Sequence, residues 1–264
     1  MQGSANLNLM IKAARKAGRA LVKDFREVEN LQVSSKAAGD FVTRADIAAE
    51  KIIREDLMEA RPNYGFLGEE SAEHMGTDPT RRWIVDPLDG TTNFLHGLPH
   101  WAVSIALEFK GEIVSAVVFD PAKDELFVAE KGVGCFMNDK RLRVSNRNTM
   151  TECIFATGVP FAAKKTLPAM LHDLAQLMPA CAGVRRWGAA SLDLAYVAAG
   201  RYDGFWEREL QPWDMAAGLL LVREAGGFTA PIREGESIFE RGEVIAANTE
   251  IFPSFAKLIR KRPD

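Results

Sequence analysis

Cysteine is scarce in this chain and forms no pattern. The 264 residues include only Cys135, Cys153 and Cys181, an odd number without the C-x-x-C spacing of metal and redox sites. Disulfide frameworks belong to cysteine-rich secreted proteins, so we expect reduced thiols in a cytoplasmic protein. The N-terminus shows no apolar signal segment, and no apolar run reaches the ~18 residues that a membrane-spanning helix needs.

A surplus of positive charge is also lacking. Lys and Arg number 33 against 36 Asp and Glu, for a net charge of -3, whereas proteins that bind nucleic acid usually carry a basic face. The only dense basic cluster lies at the chain end, and we interpret it as a solvated last helical turn. We therefore expect a soluble globular protein whose main ligand is neither nucleic acid nor membrane.

The pattern of apolar residues divides the chain into two halves. Residues 1–148 should form an α+β half, with a polar connection at Gly39 between two helices and then an antiparallel meander. The predicted helices span 5–29, with a buried stripe from Leu7 to Val28, and 43–60; the predicted strands span 82–86, 103–109, 113–120 and 125–130. Residues 149–264 alternate strand and helix, as is typical of an α/β layered half. We expect both halves to pack as one unit with a cleft between them.

Within the second half, eight elements are predicted from the same pattern. The strands are 153–157, 184–187, 203–207 and 244–247, and the helices are 167–178, 188–199, 213–225 and one from about 249.

Two acids stand three residues apart where an apolar strand ends. Asp86 closes the strand, Pro87 interrupts it, and Asp89 precedes Gly90. Taken alone, the segment is either a turn with Asp89-Gly90 as its bend or a site, because ligands collect at the carboxyl ends of strands. Pro87 restricts the backbone, so both carboxylates and the Leu88 carbonyl can face one point. A hard cation such as Mg²⁺ requires oxygen ligands of this kind.

Three further acids can each be interpreted either as a structural residue or as part of the same site. Glu69 follows an apolar pair and is either part of a solvated acidic loop or a bridge to the same ion. Thr43 and Asp46 have the spacing of a capping box, and Asp214 lies in the first turn of a helix, where the helix dipole favours an acid. A capping acid at a helix start can also face a cleft, so capping and site roles are compatible.

Together these segments resemble the inositol monophosphatase family of Mg²⁺-dependent, lithium-sensitive sugar phosphatases. The matching blocks are Asp-Phe-Val-Thr-Arg-Ala-Asp at 40–46, Gly-Glu-Glu-Ser at 68–71, Asp-Pro-Leu-Asp-Gly-Thr-Thr-Asn-Phe at 86–94, Trp-Asp-Met-Ala-Ala-Gly at 213–218 and Glu-Ala-Gly-Gly at 224–227. The resemblance implies a five-layer αβαβα sandwich of the inositol monophosphatase and fructose-1,6-bisphosphatase type, and usually a homodimer.

The resemblance also implies a metal-binding set with two or three Mg²⁺ ions. One ion would be held by Glu69, Asp86 and the Leu88 carbonyl, and a second by Asp86, Asp89 and Asp214. A third and weaker ion would lie near Glu69. Ions about 3.5–4 Å apart can clamp the attacking and leaving oxygens of an in-line displacement by an activated water.

Catalytic and substrate contacts follow from the same resemblance. Thr91, hydrogen-bonded toward Asp46, would orient the attacking water, and Glu69 would belong to the same catalytic group. Backbone N–H groups of Gly90 and Thr91 would hold the phosphate, as helix N-termini do. The alcohol portion would meet four residues: Asp89, Ala190, Glu207 and Asp214.

The implied reaction is hydrolysis of inositol monophosphate to inositol and phosphate, and three alternatives stand beside it. Histidinol phosphate, fructose 1,6-bisphosphate or another small phosphate ester would suit the same chemistry, and Arg185 and Arg186 are either recognition groups for a second phosphate or solvated charges. A haloacid-dehalogenase-type phosphatase would need its nucleophilic Asp where Pro87 stands, which excludes it. A non-enzymatic regulatory protein should have lost metal ligands, and none is lost here.

Overall fold

The computed structural model describes residues 3–27, 33–37, 40–159 and 166–261, with 33–37 and 40–42 described by their backbone alone. These residues form eight α-helices: α1 (Ala5–Phe25), α2 (Arg44–Ala60), α3 (Thr91–Leu95), α4 (Leu167–Leu177), α5 (Ala190–Ala198), α6 (Pro212–Glu224), α7 (Ile238–Arg241) and α8 (Phe252–Ile259). None of the eight is both long and apolar enough to cross a lipid bilayer.

Helices α1 and α2 both begin at side-chain caps. The Ser4 hydroxyl accepts the backbone N–H of Leu7 at 3.1 Å, and Thr43 with Asp46 forms the reciprocal capping box that the sequence predicts. Each cap satisfies N–H groups that a helix start leaves without a partner. One face of α1 is buried as expected, whereas Val28, the predicted end of that stripe, lies outside the described residues.

A two-stranded hairpin replaces the polar connection expected between these helices. Strands β1 (Val33–Ala37) and β2 (Asp40–Thr43) pair antiparallel, with Val33 opposite Thr43. The sequence of β1 lacks the alternation of apolar and polar residues that identifies a half-buried strand, so periodicity could not find it. Gly39, expected within the connection, lies outside the described residues.

The first half of the chain forms a seven-stranded sheet whose strands lie in chain order. They are β3 (Gly65–Gly68), β4 (Arg81–Asp89), β5 (Ala102–Phe109), β6 (Glu112–Asp120), β7 (Glu125–Glu130), β8 (Gly134–Met137) and β9 (Lys140–Arg141). Neighbours are antiparallel, except that β3 runs parallel to β4. The predicted meander is confirmed in β4 to β7. The pattern misses β3 and β8, because short segments that begin with glycine favour a turn prediction, and it misses β9, because two residues carry no periodicity.

A five-stranded sheet occupies the second half. Its strands are β10 (Ile154–Thr157), β11 (Gly183–Arg185), β12 (Gly204–Glu207), β13 (Phe228–Ala230) and β14 (Val244–Ala247), in the order β11-β10-β12-β14-β13. Strand β10 is parallel to both neighbours, and β14 is antiparallel to both of its own. The predicted strands and helices of this half are present with small shifts at their ends, and only β13 and α7 are missed.

Three apolar clusters join these elements into five layers. Alternate residues of β4 face opposite sides: Trp83 packs toward α1 and α2, whereas Ile84 packs toward α5 and α6. Helices α5 and α6 also contact the five-stranded sheet, whose other face packs on α8 through Phe155 and Phe255. The order helix, sheet, helix, sheet, helix confirms the predicted αβαβα sandwich. The division at residue 148 stays a prediction, because α5 and α6 share one core with both sheets.

Candidate active site

Strand β4 contains a β-bulge at the two acids predicted to bind metal. Asp86 pairs with Ser104 on β5, and Asp89 pairs with Ala102. Three steps along β4 therefore match only two steps along β5, so β4 contains one extra residue. Residues three apart on a regular strand face opposite sides of the sheet, so the extra residue turns both acids toward one side. Pro87 lies in the bulge, where its missing N–H breaks no ladder. Strand β4 thus continues three residues beyond the end predicted at 86.

Gly90 turns the chain from β4 into α3. Its φ of +93° is left-handed, and a Cβ at this position would lie 3.0 Å from the carbonyl oxygen of His100, so only glycine suits the turn. The turn brings the Thr91 hydroxyl to 3.0 Å from Asp46 Oδ1 and 3.1 Å from the Leu88 carbonyl oxygen. The single hydroxyl proton donates to one acceptor at a time. The Thr91 hydroxyl thus lies within hydrogen-bonding distance of Asp46, as expected, and the Leu88 carbonyl is the alternative acceptor.

Asp46 combines the two roles that the sequence allows. Its Oδ2 accepts the Thr43 N–H at 3.0 Å as part of the cap of α2, and its Oδ1 faces the Thr91 hydroxyl. Burial raises the pKa of the Asp46 carboxyl, although the hydrogen bonds from Thr43 and Thr91 lower it. The carboxylate therefore links the start of α2 to the turn after β4.

The parallel pairing of β3 and β4 places Glu69 next to Asp86. The Glu69 N–H donates to the Val85 carbonyl at 3.2 Å, so the residues that follow on the two strands are neighbours. Glu50, which is buried on α2, fixes the residue after Glu69, because its Oε2 accepts the Glu70 N–H at 2.8 Å. The acidic segment is thus attached to α2 and β4 rather than forming a separate solvated loop.

Helix α6 brings Asp214 toward the end of β4 that carries Asp86 and Asp89. The Asp214 Oδ2 accepts the Gln211 N–H at 2.7 Å, which gives Asp214 the predicted capping role. The Trp213 carbonyl lies 3.3 Å from the donating hydroxyl of Ser104, the residue opposite Asp86. This bond attaches the beginning of α6 to the strand beside β4.

Helix α5 and strand β12 complete the site from the second half. The N–H and the hydroxyl of Ser191 both donate to Asp89 Oδ2, at 2.8 and 2.5 Å. Ala190 is the buried first residue of α5, and Glu207 is the partly buried last residue of β12. Burial raises the pKa of the Glu207 carboxyl well above its ordinary value, and the charges of Asp214 and Asp89 raise it further. These pKa shifts indicate that Glu207 belongs to the same acidic group.

The acids at the centre of the site repel one another. Burial raises the pKa of Asp86 well above its ordinary value, and the charges of Glu69, Asp89 and Asp214 add to this rise. Burial also raises the pKa of Asp89 to about 6, although the bonds from Ser191 lower it. Crowded carboxylate and carbonyl oxygens have the donor chemistry of a hard-cation site. Nevertheless, no three His, Cys, Asp or Glu side chains in the described part of the chain are arranged as a finished set of metal ligands.

Sequence reasoning misses three residues that hold these groups together. Besides Glu50 and Ser191, Asn93 links the two halves, because its Nδ2 donates to the carbonyls of His100 and Trp187 at 2.8 and 2.7 Å. Ser191 is 102 residues away from Asp89, so no local pattern could pair them. The only available signal is that α5 begins without a capping side chain, which requires an acceptor from elsewhere in the fold.

Comparison with known proteins gives one family. The sequence matches the model of the inositol monophosphatase family over residues 5–263. Inositol-1-monophosphatase of Rhizobium meliloti (strain 1021) is 56% identical over 261 residues, covering 99% of this chain and 98% of that protein. Nus factor SuhB of Escherichia coli (strain K12) is 46% identical over 245 residues, covering 93% and 92%. The crystal structure of extragenic suppressor protein suhB from Bartonella henselae has a TM-score of 0.95 and 53% identity, covering 98% of this chain and 100% of that one.

Proposed function

The chain belongs to the inositol monophosphatase family and is a phosphatase of that type; from this premise we propose that it hydrolyses inositol monophosphate with Mg²⁺ as its cofactor. The observation that carries the proposal is the bulge of β4, which turns Asp86 and Asp89 to one side of the sheet, next to Glu69. Crowded acids of this kind are costly to bury unless a cation compensates them.

The donor atoms fit Mg²⁺. We propose that Glu69, Asp86, Asp89, Asp214 and the Leu88 carbonyl hold two or three ions, since hard cations take oxygen ligands and retain some waters. Because these side chains do not yet form a finished ligand set, we expect small movements of the carboxylates on binding. When bound, Mg²⁺ supplies positive charge for the phosphate oxygens and lowers the pKa of a water to make it nucleophilic.

The chain's own groups would orient the reactants. With Asp46 accepting from the Thr91 hydroxyl, the Thr91 oxygen has lone pairs that can accept a hydrogen bond from the attacking water and so orient it. The N–H groups of Gly90 and Thr91 would hold the phosphate. The hydroxyl groups of the alcohol would be bound by a set drawn from both halves: Asp89, Ala190, Glu207 and Asp214.

A substrate panel tests this function directly. Phosphate release is measured with Mg²⁺, and again with EDTA, on inositol 1-phosphate, histidinol phosphate, fructose 1,6-bisphosphate and phosphoadenosine phosphate. We expect the highest kcat/KM with inositol 1-phosphate, loss of activity with EDTA, and inhibition by Li⁺ as in the family. Fast phosphate release from histidinol phosphate with none from inositol phosphates would identify histidinol phosphate as the substrate instead. No release from any ester would overturn the proposal.

Thermal unfolding tests the cation independently of turnover. Mg²⁺ that binds only the folded chain at 100 times its Kd should stabilise it by about 2.7 kcal/mol. We therefore expect Mg²⁺ to raise the Tm, and an unchanged Tm would contradict cation binding by these acids. The family resemblance further supports a homodimeric, cytoplasmic enzyme, and light scattering of the purified protein checks the dimer.

A regulatory role is a second candidate, because the relative from Escherichia coli is named Nus factor SuhB. This role does not compete with the enzymatic one, since the predicted metal-binding acids are all present. An inactive Asp89→Asn variant that still performs a cellular role would separate the two functions.

A further inference from the structure

The N-terminus of α5 contacts the proposed cation site through one side chain. Ser191 is fully buried, Asp89 is 9% exposed, and both Ser191 donors meet the same carboxylate oxygen of Asp89. The bonds join β4 of the first half to α5 of the second.

Helix α5 needs this carboxylate because it has no cap of its own. Ala189, its N-cap residue, has no side chain that could accept a hydrogen bond. The N–H groups of the first helical turn otherwise lack acceptors, and the positive end of the helix dipole favours an anion. Asp89 supplies both the acceptor and the negative charge.

The Ser191 hydroxyl adds a side-chain donor to the backbone donors that bond to Asp89. Backbone N–H groups of Ala190, Ser191 and Leu192 bond to Asp89, and the hydroxyl is a second Ser191 donor on Oδ2 that further limits the orientation of the carboxylate. Hydrogen bonds to a charged acceptor are the stronger class. In a fully buried position, no bulk water would replace the hydroxyl if it were removed.

The same segment is also fixed at its other end. Asn93, on α3, donates to the Trp187 carbonyl at 2.7 Å. Residues 187–191 are therefore attached to the β4–α3 region at both ends, and Asp89 and the start of α5 share one geometry.

We propose that Ser191 is a positioning residue that orients Asp89 for cation binding and thereby couples the two halves of the site. The inference rests on the proposed Mg²⁺-dependent function and assigns a role to a residue outside the predicted ligand and substrate sets. Groups that orient metal ligands typically change metal affinity 10–100-fold when removed.

The test compares Ser191→Ala, Ser191→Thr and the control Ser115→Ala. Ser115 is also a buried serine next to a carboxylate, but it lies on β6 and its partner is Glu130. Mn²⁺ serves as the probe, because the electron paramagnetic resonance signal of free Mn²⁺ falls as the ion binds, and added Mg²⁺ then competes. Tm without metal is recorded for each variant.

We expect roughly 10-fold weaker Mn²⁺ binding in Ser191→Ala, recovery in Ser191→Thr, and wild-type affinity in Ser115→Ala. Equal affinity in Ser191→Ala and the wild type, even with a lowered metal-free Tm, would leave Ser191 only a structural role and overturn the inference. A wild-type protein that binds no Mn²⁺ and releases no phosphate would overturn the proposed function and this inference with it.

Discussion

Two groups of buried aspartates in this molecule differ in what surrounds them. Three of those outside the site, which we term the paired acids, each have a basic partner: Asp120 with Lys123 at 2.5 Å, Asp173 with Arg208 at 2.7 Å, and Asp203 with Arg147 at 3.2 Å. The site acids are Asp46, Asp86 and Asp89, and within the described ranges none of them forms an ion pair with Lys or Arg. Their described hydrogen bonds come from backbone N–H groups and from the hydroxyls of Thr43, Thr91 and Ser191.

The pKa shifts of the two groups show what this difference means. Burial raises the pKa of Asp173 and of Asp86 alike, but Arg208 lowers the former, whereas Glu69, Asp89 and Asp214 raise the latter further. The fold therefore compensates the buried charge of the paired acids and leaves that of the site acids uncompensated. Active sites commonly contain perturbed carboxyl groups of this kind, and a cation from solution would complete the charge balance.

The largest expected effect comes from neutralising a site acid. Asp89→Asn keeps an oxygen that can accept from Ser191 but removes one negative charge, so we expect phosphatase activity to fall by about 1,000-fold. Metal-free Tm should not fall, because burial disfavours the Asp89 charge by more than the α5 donors favour it, as the raised pKa of Asp89 shows. Initial rates and Tm measure both effects.

Asp124→Asn is the matched control, since the Asp124 side chain is 80% exposed and its positive φ of 53° suits Asn. Near-wild-type activity in Asp89→Asn would contradict the distinction between functional site acids and structural paired acids.

A paired acid should behave in the opposite way. Asp203 accepts from Arg147, from the Ser145 hydroxyl and from the Ile154 N–H, so Asp203→Ala leaves buried donors without an acceptor. We expect the free energy of unfolding in urea to fall by about 3 kcal/mol, with the rate per folded molecule unchanged. Asp203→Asn, which retains an acceptor, should lose less. A stable but inactive Asp203→Ala variant would contradict this assignment.

A buried base extends the comparison to pH. The His100 ring contacts the rings of Trp187 and Tyr196, and burial lowers its pKa from 6.5 to about 4. As the pH falls below 6.5 the unfolded chain takes up the proton first, so the folded state loses stability, by about 3 kcal/mol once the pH reaches 4.

His100→Phe keeps a ring and removes this titration. We expect its unfolding free energy to depend less on pH between 6.5 and 4 than that of the wild type, as measured by urea denaturation. The exposed His96, changed to Gln, is the control. Identical pH profiles for His100→Phe and the wild type would show that His100 already titrates normally in the folded protein.

Sequence patterns identify the elements with strong local signals. The capping box of Thr43 and Asp46, the strand Val244–Ala247 and the alternation in β5 are all confirmed, because each depends on neighbours within a few residues. Strand β3 is missed because four residues with glycine at both ends carry no periodicity. Its parallel pairing with β4, which decides where Glu69 lies, depends on a contact that no local pattern records.

The sequence by itself determined most of the helices and strands, since periodicity and caps act over short distances, and the family resemblance of its ordered motifs implied the layered fold and the acids of the candidate site. Only the tertiary structure decided how those acids come together. The bulge at Pro87 turns Asp86 and Asp89 to one side, and α5, more than a hundred residues along the chain, holds Asp89 through Ser191. Such contacts depend on how the two sheets pack, because a carboxylate and the helix that it caps can meet only after both layers are in place.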